Sequence, residues 1–301
     1  MVDIVIVNWN SGAYLAKCVN SVLRTEPAGL ISSIFVIDND SDDFVPGDIP
    51  KDDRVKILRN QKNLGFAKAS NQGFRQCTAP FVLLLNPDAM LLPETMAQCL
   101  HYMEQHQETA ILGCCLLDDN GMRSKSCSRF PSPLRIFFDA AGLSKIAPHI
   151  FKPATIMTDW DHLQSRNVDM VMGAFMFMRR ALFEEIGYFD ERFFVYYEEV
   201  DFSKRLSESG GKIFYDAAIT ATHSGEGTTK AVKAFRLFLS LKSRLQYARK
   251  HFNIAGYILV WLTTWFIEPF ARVLYLLFTG NGREIKQVIR GFLLLIKNPT
   301  L

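Results

Sequence analysis

Beyond Glu226 the sequence has almost no acid. Only Glu268 and Glu284 stand there against twelve lysines and arginines, whereas the preceding part carries 29 acids and 22 bases. Such an imbalance points to two environments, and a basic segment suits an anionic partner, either nucleic acid or a membrane surface. Cysteine is sparse as well. Cys18, Cys77, Cys99, Cys114, Cys115 and Cys127 show neither paired metal-ligand spacing nor the density of a disulfide scaffold, and they read as reduced core thiols of a cytosolic protein. Residues 1–8 place Asp3 inside a short β-branched run and lack the basic and longer apolar regions of a secretory signal, so the folded part is expected inside the cell. Internal repeats and low-complexity tracts are missing. What is present, 301 residues with 49% hydrophobic and 12% aromatic content, is ample for one large or two modest folded domains.

The hydrophobic pattern alternates between strand and helix. Residues 2–8 (VDIVIVN) predict a strand, and Leu15, Val19, Val22 and Leu23 then fall on one helical face. Further strands are predicted at Ser33–Asp38, Val55–Leu58, Phe81–Leu85 and Ile111–Leu117, with a helix from about Gly65 to Gln76 and another opened by Pro93-Glu94. Asp118-Asp119-Asn120-Gly121 predicts a turn, and periodicity fades from Cys127 to about Asn167, where an irregular insertion is expected. Strands at Val168–Met172 and Ala174–Met178, helices at Arg180–Ile186 and about Glu198–Ser209, and two short strands at Ile213–Tyr215 and Ile219–Thr222 complete the series. The order predicts an α/β fold with a mostly parallel sheet. In such a sheet Asn8, Asp38 and Asp88, each at the end of a predicted strand, share one edge, where open α/β sheets bind their ligands.

The segments VDIVIVNWN, VIDNDSDD, NLGFAKASNQG and LLLNPDA stand in the order seen in inverting glycosyltransferases of family two, which this chain resembles, most of all the rhamnosyltransferase-like members. The resemblance continues through GAFMFMRRALFEEIGYFDERFFVYYEEVDFSKRL to His223 and so covers roughly residues 2–228. It implies an A-type glycosyltransferase (GT-A, Rossmann-like) fold over residues 1–229, a nucleotide-diphosphosugar donor and a divalent metal, Mg²⁺ or Mn²⁺. By the same resemblance Asp38 is a base-recognition carboxylate suited to the imide N–H of uracil or thymine. Asn8 lines that pocket, and Asn63, Gly65 and Asn71 belong to a nucleotide-side segment.

Asn86 and Asp88 take the place of the family's metal motif, with a neutral Asn where a first Asp is usual. The chemistry needs a hard cation held by carboxylate oxygen, because a diphosphate leaving group carries concentrated negative charge. Asp88 is the expected ligand, Asn86 a ribose or metal-water contact, and His223 a second ligand followed by a Ser/Gly/Thr-rich loop that could close over the donor. Tyr197-Glu198-Glu199-Val200-Asp201 resembles the segment holding the catalytic base, so the catalytic candidates are Glu199 and its neighbour Glu198. Glu199 matches the usual Asp, one methylene longer. Asp190 is a possible sugar contact, and Arg179 or Arg180 a diphosphate or structural contact. Asp201 and Arg205 are spaced for an i,i+4 ion pair, although Arg205 could instead reach the diphosphate.

Residues 230–301 are expected to form a helical, basic and apolar region. Phe252–Ile267 is uncharged over 16 residues, short of the roughly 18–20 that span a bilayer, and Glu268-Pro269 interrupts it. Ile285, Val288, Ile289, Phe292 and Ile296 then define an amphipathic helix with Lys286, Arg290 and Lys297 on its polar side. This combination suits a peripheral anchor on an anionic inner membrane surface; a buried helical subdomain or an oligomer interface is the alternative. Nucleic acid is not expected, since the basic residues flank apolar stretches. The whole predicts a metal-dependent inverting transferase at the cytoplasmic face of the membrane. It would move a sugar, plausibly L-rhamnose from dTDP-rhamnose, to a glycan or lipid-linked acceptor in cell-surface polysaccharide synthesis. A sugar-nucleotidyltransferase would share the sheet and metal, but Asn8-Trp9-Asn10-Ser11-Gly12 lacks the basic residues of its phosphate loop. A catalytically inactive nucleotide-binding or scaffold protein is the remaining alternative, supported by Asn86 and Glu199.

Overall fold

Every residue of the first strand, β1 (Val2–Asn8), is buried, as is every residue of β4 (Phe81–Leu85), which explains why neither shows an alternating pattern. In this computed structural model, which describes residues 1–25, 29–225 and 233–298, β1 is followed by α1 (Ala13–Thr25), β2 (Ile31–Asp38), β3 (Val55–Arg59) and α2 (Phe66–Phe74). After β4 come β5 (Ala89–Leu91), α3 (Thr95–Gln105), β6 (Thr109–Leu117), β7 (Cys127–Ser128), α4 (Pro133–Ala140) and α5 (Leu143–Ile146). The rest comprises β8 (Arg166–Asn167), β9 (Met170–Val171), β10 (Phe175–Arg179), α6 (Leu182–Glu185), α7 (Glu198–Glu208), β11 (Lys212–His223), α8 (Lys233–His251), α9 (Ile254–Leu262), α10 (Glu268–Phe278) and α11 (Ile285–Lys297).

The chain divides into two units. The first comprises residues 1–128, 161–191 and 199–228. Its sheet has the order β3-β2-β1-β4-β10-β6-β11-β5, with β8 beside β11. Strands β3, β2, β1 and β4 run parallel, β10 is inserted antiparallel between β4 and β6, and β11 runs parallel to β6. Register fixes the functional edge. Asn8 pairs with Asp38 and Asp38 with Arg59, so the last residues of three neighbouring strands stand at one level. The core beneath them gathers Ile4, Ile6, Val36, Leu83 and Leu85 from the sheet with Cys18, Val19 and Val22 from α1. Asp3, on the opposite face of β1 from Ile4, is buried as its Oδ2 accepts the N–H groups of Thr78 and Ala79 at 2.7 and 2.8 Å, closing the turn that feeds β4.

Several elements differ from the sequence expectation. The helix expected at Pro93-Glu94 begins only at Thr95, because Glu94 adopts a left-handed φ of 68°. The two short strands after residue 212 are one strand, β11, with a register shift between Asp216 and Thr220. The expected irregular insertion contains α4, whose start is set by Ser132 as cap and Pro133 in the first turn.

The second unit comprises residues 129–160, 192–198 and 229–301, so the carboxyl-terminal helices share their unit with two earlier segments. Ile136, Leu241, Leu245, Val260, Phe292 and Leu295 form its core. Ser243 Oγ donates to the Val195 carbonyl at 2.8 Å and Arg236 Nε to Tyr196 Oη at 3.0 Å, holding 192–198 against α8. Glu268-Pro269 does not stop the helix. A π turn at Thr263–Ile267 joins α9 to α10, giving 25 continuous helical residues, Ile254–Phe278. By length and composition this helix could cross a membrane.

Candidate active site

The site is built on the carboxyl edge of the first unit's sheet. Asn8 Nδ2 donates to Asp38 Oδ1 at 2.8 Å and to Ser41 Oγ at 3.0 Å, while Ser11 Oγ donates to Asn8 Oδ1. From the other side Arg59 Nε approaches Asp38 Oδ2 at 3.2 Å. Asp38 is fully buried, and the half-exposed Arg59 side chain lies over it. Asn10 and Asp40 turn the chain away from the strand ends with φ of 49° and 64°, a conformation these two residue types tolerate.

Asn39 extends the network. Its Nδ2 donates to Asn63 Oδ1 at 2.8 Å, and its Oδ1 accepts from Leu64 N at 3.0 Å and Asn60 Nδ2 at 3.1 Å. Asn63 Oδ1 also accepts the Gly65 N–H at 2.9 Å. Gly65, with φ of 86°, makes the turn into α2 that a side chain would strain. Asn63 and Gly65 thus join the Asn8–Asp38 group through Asn39, which the sequence reading passed over although it stands inside VIDNDSDD. Ser41 and Arg59 were missed too; the position of Arg59 at the end of a predicted strand was the available signal.

Asn71 lies elsewhere. It is buried, donating to the Phe189 carbonyl at 2.9 Å and accepting the Phe189 N–H at 3.1 Å, with Glu191 Oε1 3.1 Å from its Nδ2. Burial opposes ionisation of Glu191, but hydrogen bonds from Asn71 and Arg75 outweigh it and hold the carboxyl below its usual range. Arg205 grips the same loop. Its Nε pairs with Asp201 at 2.9 Å, Nη2 donates to the Tyr188 carbonyl at 2.7 Å, and Nη1 donates to the Ile186 carbonyl. The expected i,i+4 pair is therefore present, and Arg205 holds the loop carrying Asp190. Arg179 is structural, donating to the Thr109, Met103 and His106 carbonyls, and Arg180 pairs with Glu184 at 3.0 Å.

Asp88 and His223 are brought together by β5, an element the sequence did not show. His223 is the register partner of Ala89, which places its Nε2 3.3 Å from Asp88 Oδ1. Both side chains are largely buried. The Asp88 carbonyl accepts the Ser224 N–H at 3.0 Å, and Ser224 Oγ donates to Asp119 at 2.6 Å. Residues 226–229 of the loop expected to close over the donor lie outside the described residues. Below, Cys18 Sγ points at the Asn86 carbonyl at 3.5 Å. Burial, and after it the negative charge of Asp88, push that thiol well above its ordinary pKa.

Glu198 and Glu199 open α7, directly after Tyr196 and Tyr197, two successive non-glycine residues with φ of 66° and 70°. Left-handed residues of this kind cost energy and concentrate where a neighbouring side chain must be aimed. Glu198 is almost fully buried, and the boundary between the two units falls between it and Glu199. The Cβ and Cγ of Glu199 lie 4.0 Å from where a Cβ on Gly173 would stand. The next residue, Ala174, accepts the Asn86 N–H through its carbonyl at 3.0 Å. One short path therefore links Glu199, through residues 173–174, to the Asn86-Pro87-Asp88 turn. Gly173 was not anticipated.

Residues 3–187 match the family model for glycosyl transferase family 2. The chain belongs to that family. It is 26% identical over 258 residues to an N-acetylglucosaminyl-diphospho-decaprenol L-rhamnosyltransferase of Mycobacterium tuberculosis, covering 81% of this chain and 82% of the relative. To the low-salt glycan biosynthesis hexosyltransferase Agl10 of Haloferax volcanii it is 24% identical, covering 99% and 92%. Among solved structures, a mannosyltransferase from Pyrobaculum calidifontis in complex with GDP-Man and Mn²⁺ superposes with a TM-score of 0.55 at 13% identity, covering all of this chain and 76% of the other. The fold is the A-type glycosyltransferase fold, and the chain is a glycosyltransferase resembling the named rhamnosyltransferases.

As a metal centre, Asp88 and His223 supply one hard oxygen and one imidazole nitrogen side by side, a donor set suited to Mn²⁺ or Mg²⁺. Among the described residues no group of three or more His, Cys, Asp or Glu stands ready to hold an ion. At this point the chain would offer an ion two side chains, Asp88 and His223.

Proposed function

We propose that this glycosyltransferase is metal-dependent and inverting, and that it moves L-rhamnose from dTDP-rhamnose to a glycan or lipid-linked acceptor in cell-surface polysaccharide synthesis. The observation that carries the reading is the Asp88–His223 pair, 3.3 Å apart at the strand edge, with Glu199 reached from it through residues 173–174. The name of the Mycobacterium tuberculosis relative supports the sugar and a lipid-linked acceptor, and that of Agl10 supports glycan synthesis.

In this reading Asp38, oriented by Asn8, accepts the imide N–H of the thymine or uracil ring as the half-exposed Arg59 swings away. Asn63 and Gly65 shape the wall of that pocket, Asn86 faces the ribose, and Asp190 meets the sugar. Asn71 and Arg205 contribute by holding the Asp190 loop in place. Asp88 and His223 would hold the metal, which when bound supplies positive charge to neutralise the leaving diphosphate. Glu199 takes the proton from the acceptor hydroxyl as that oxygen attacks the anomeric carbon opposite the diphosphate. The start of α7 favours the ionised carboxylate, since a helix amino terminus stabilises negative charge. Glu198, nearly buried beside it, is the second catalytic candidate.

The basic and apolar helices of the second unit associate, on this reading, with the cytoplasmic face of the membrane, where a lipid-linked acceptor resides. A thermal-shift panel of dTDP, UDP and GDP with their sugars, with and without Mg²⁺ or Mn²⁺, tests the donor, because ligand binding stabilises the folded state by mass action. Stabilisation by dTDP or UDP that grows with metal is expected; preference for GDP would remove the Asp38 assignment.

A further inference from the structure

We infer that the Ile254–Phe278 helix lies flat in the headgroup region of an anionic bilayer instead of crossing it. The inference rests on the membrane reading above and specifies how that contact is made.

The helix presents two opposite faces. Gly256, Val260, Thr264 and Glu268 are buried at four-residue spacing. Displaced from them by two residues, half a helical turn, Ile254, Ile258, Leu262, Phe266, Phe270 and Leu274 are all exposed, and the series ends at Phe278, which is 88% exposed. A four-residue series drifts by about 40° per step around an α-helix. The wider π turn at Thr263–Ile267 takes back part of that drift and keeps the two halves of the exposed stripe on one side. The result is a continuous apolar strip roughly 37 Å long at 1.5 Å per residue.

The buried face excludes a crossing orientation. Glu268 is 2% exposed and forms an ion pair with Arg244 of α8, and Arg272 pairs with it from the next turn at 2.7 Å. This cluster sits past the middle of the 25 residues, at the depth where a spanning helix would meet hydrocarbon and where charge is most costly. Crossing would also strip α9 and α10 from α4, α8 and α11, against which they pack. A helix with one polar, protein-bound face and one apolar face instead buries the latter about 5–10 Å into the interface.

Charge names the occupant. On α11, which packs against α10, exposed Ile289, Leu293 and Ile296 alternate with exposed Lys286, Arg290 and Lys297, and exposed Arg283 stands in the turn just before it. A groove of about 370 Å³ between α8 and α11 mixes the two kinds directly, lining Arg290, Lys297 and Lys233 with Phe235 and Leu293. Cations set among exposed apolar side chains match anionic lipid headgroups over acyl chains. A protein partner would have to offer both acids and a long apolar strip.

The test uses the full chain with Trp9, Trp160 and Trp265 replaced by phenylalanine, leaving Trp261, which is 39% exposed beside the stripe, as the only tryptophan. It is mixed with vesicles of phosphatidylcholine alone or with about one third phosphatidylglycerol, an anionic surface. Expected are co-sedimentation with the anionic vesicles only, release by high salt or carbonate, and stronger Trp261 quenching by lipids brominated near the headgroup than near the chain end. Phe266→Glu with Phe270→Glu in the otherwise native chain should weaken vesicle binding at least about tenfold, the cost of placing charge on the apolar face, with an unchanged circular dichroism spectrum. Deep quenching with resistance to carbonate would replace the flat helix by a crossing one while keeping the membrane reading. No binding to either vesicle, together with a dimer that Phe266→Glu and Phe270→Glu dissociate, would overturn both and make the strip a contact between copies.

Discussion

Asp88 and His223 are neighbours because of a three-residue strand. Their side chains meet at 3.3 Å across the pairing of β5 with β11, although they lie 135 residues apart in sequence. Two side chains would be few for the proposed divalent ion, which prefers six or more oxygens or nitrogens in total. Titration of Mn²⁺ by calorimetry should therefore show weak binding alone and tight binding with dTDP present. Asp88→Ala should abolish transfer and the nucleotide-dependent binding. His223→Ala should weaken metal affinity by at least about tenfold, the lower end of what even indirect partners of a metal contribute.

Glu199→Gln keeps shape and removes the proposed base. Single-turnover assays should show transfer slowed by about 10²–10⁴-fold, the usual share of a general base, with donor affinity unchanged in thermal shift. Wild-type rates in this variant would end the assignment.

Asn71→Ala should act on stability first. It leaves the buried N–H and carbonyl of Phe189 without their partner, at about 1–3 kcal/mol for each buried group so exposed. Urea denaturation should show a lower midpoint, and Asn71→Asp should not recover the loss, because it sets a carboxylate oxygen where Nδ2 now donates to the Phe189 carbonyl and to Glu191 Oε1.

Gly73→Ala should destabilise through overpacking. A Cβ there would stand 2.4 Å from Val5 Cγ1, at the contact of α2 with β1. The expected cost is about 1–3 kcal/mol, and pairing it with Val5→Ala should relieve the clash.

Acid should loosen the second unit. Burial opposes ionisation of Glu268, but Arg244 and Arg272 outweigh it and hold the carboxyl below its ordinary value of 4.5. A carboxyl depressed in the folded state adds stability that is complete above its unfolded pKa and lost as pH falls through the folded one. Thermal melts should therefore be flat near neutrality and fall below about pH 4.5, the unfolded carboxylate range. Glu268→Gln should lower stability at pH 7 and flatten that acid slope.

Strands β1, β2 and β4 were legible because buried strands leave nearly uninterrupted apolar runs, and Asn8, Asp38 and Asp88 were legible because they end or closely follow those runs. The Asp201–Arg205 pair followed from helical spacing alone. What escaped depends on contacts distant in the chain. Strand β10 enters the sheet antiparallel from residue 175, β5 is too short to carry a pattern, and the partner of Asn71 lies 118 residues away. Helix α4 was hidden for a different reason, since Pro and Ser read locally as loop formers while here they start a helix. The π turn was hidden too, because Glu268-Pro269 looks like a stop unless Arg244 is known to await the carboxylate.

Asn8, Asp38 and Arg59 ride at one level on three neighbouring strands. A slip of β2 by a single position would turn Asp38 to the opposite side of the sheet, since successive side chains alternate. The proposed recognition pocket therefore cannot fray by degrees: it exists whole or vanishes with the pairing of the first three strands. Protection of the Asn39 and Asn60 amides against hydrogen exchange, both bonded to carbonyls on this rung, thus doubles as a gauge of how much of the population is competent to bind at all.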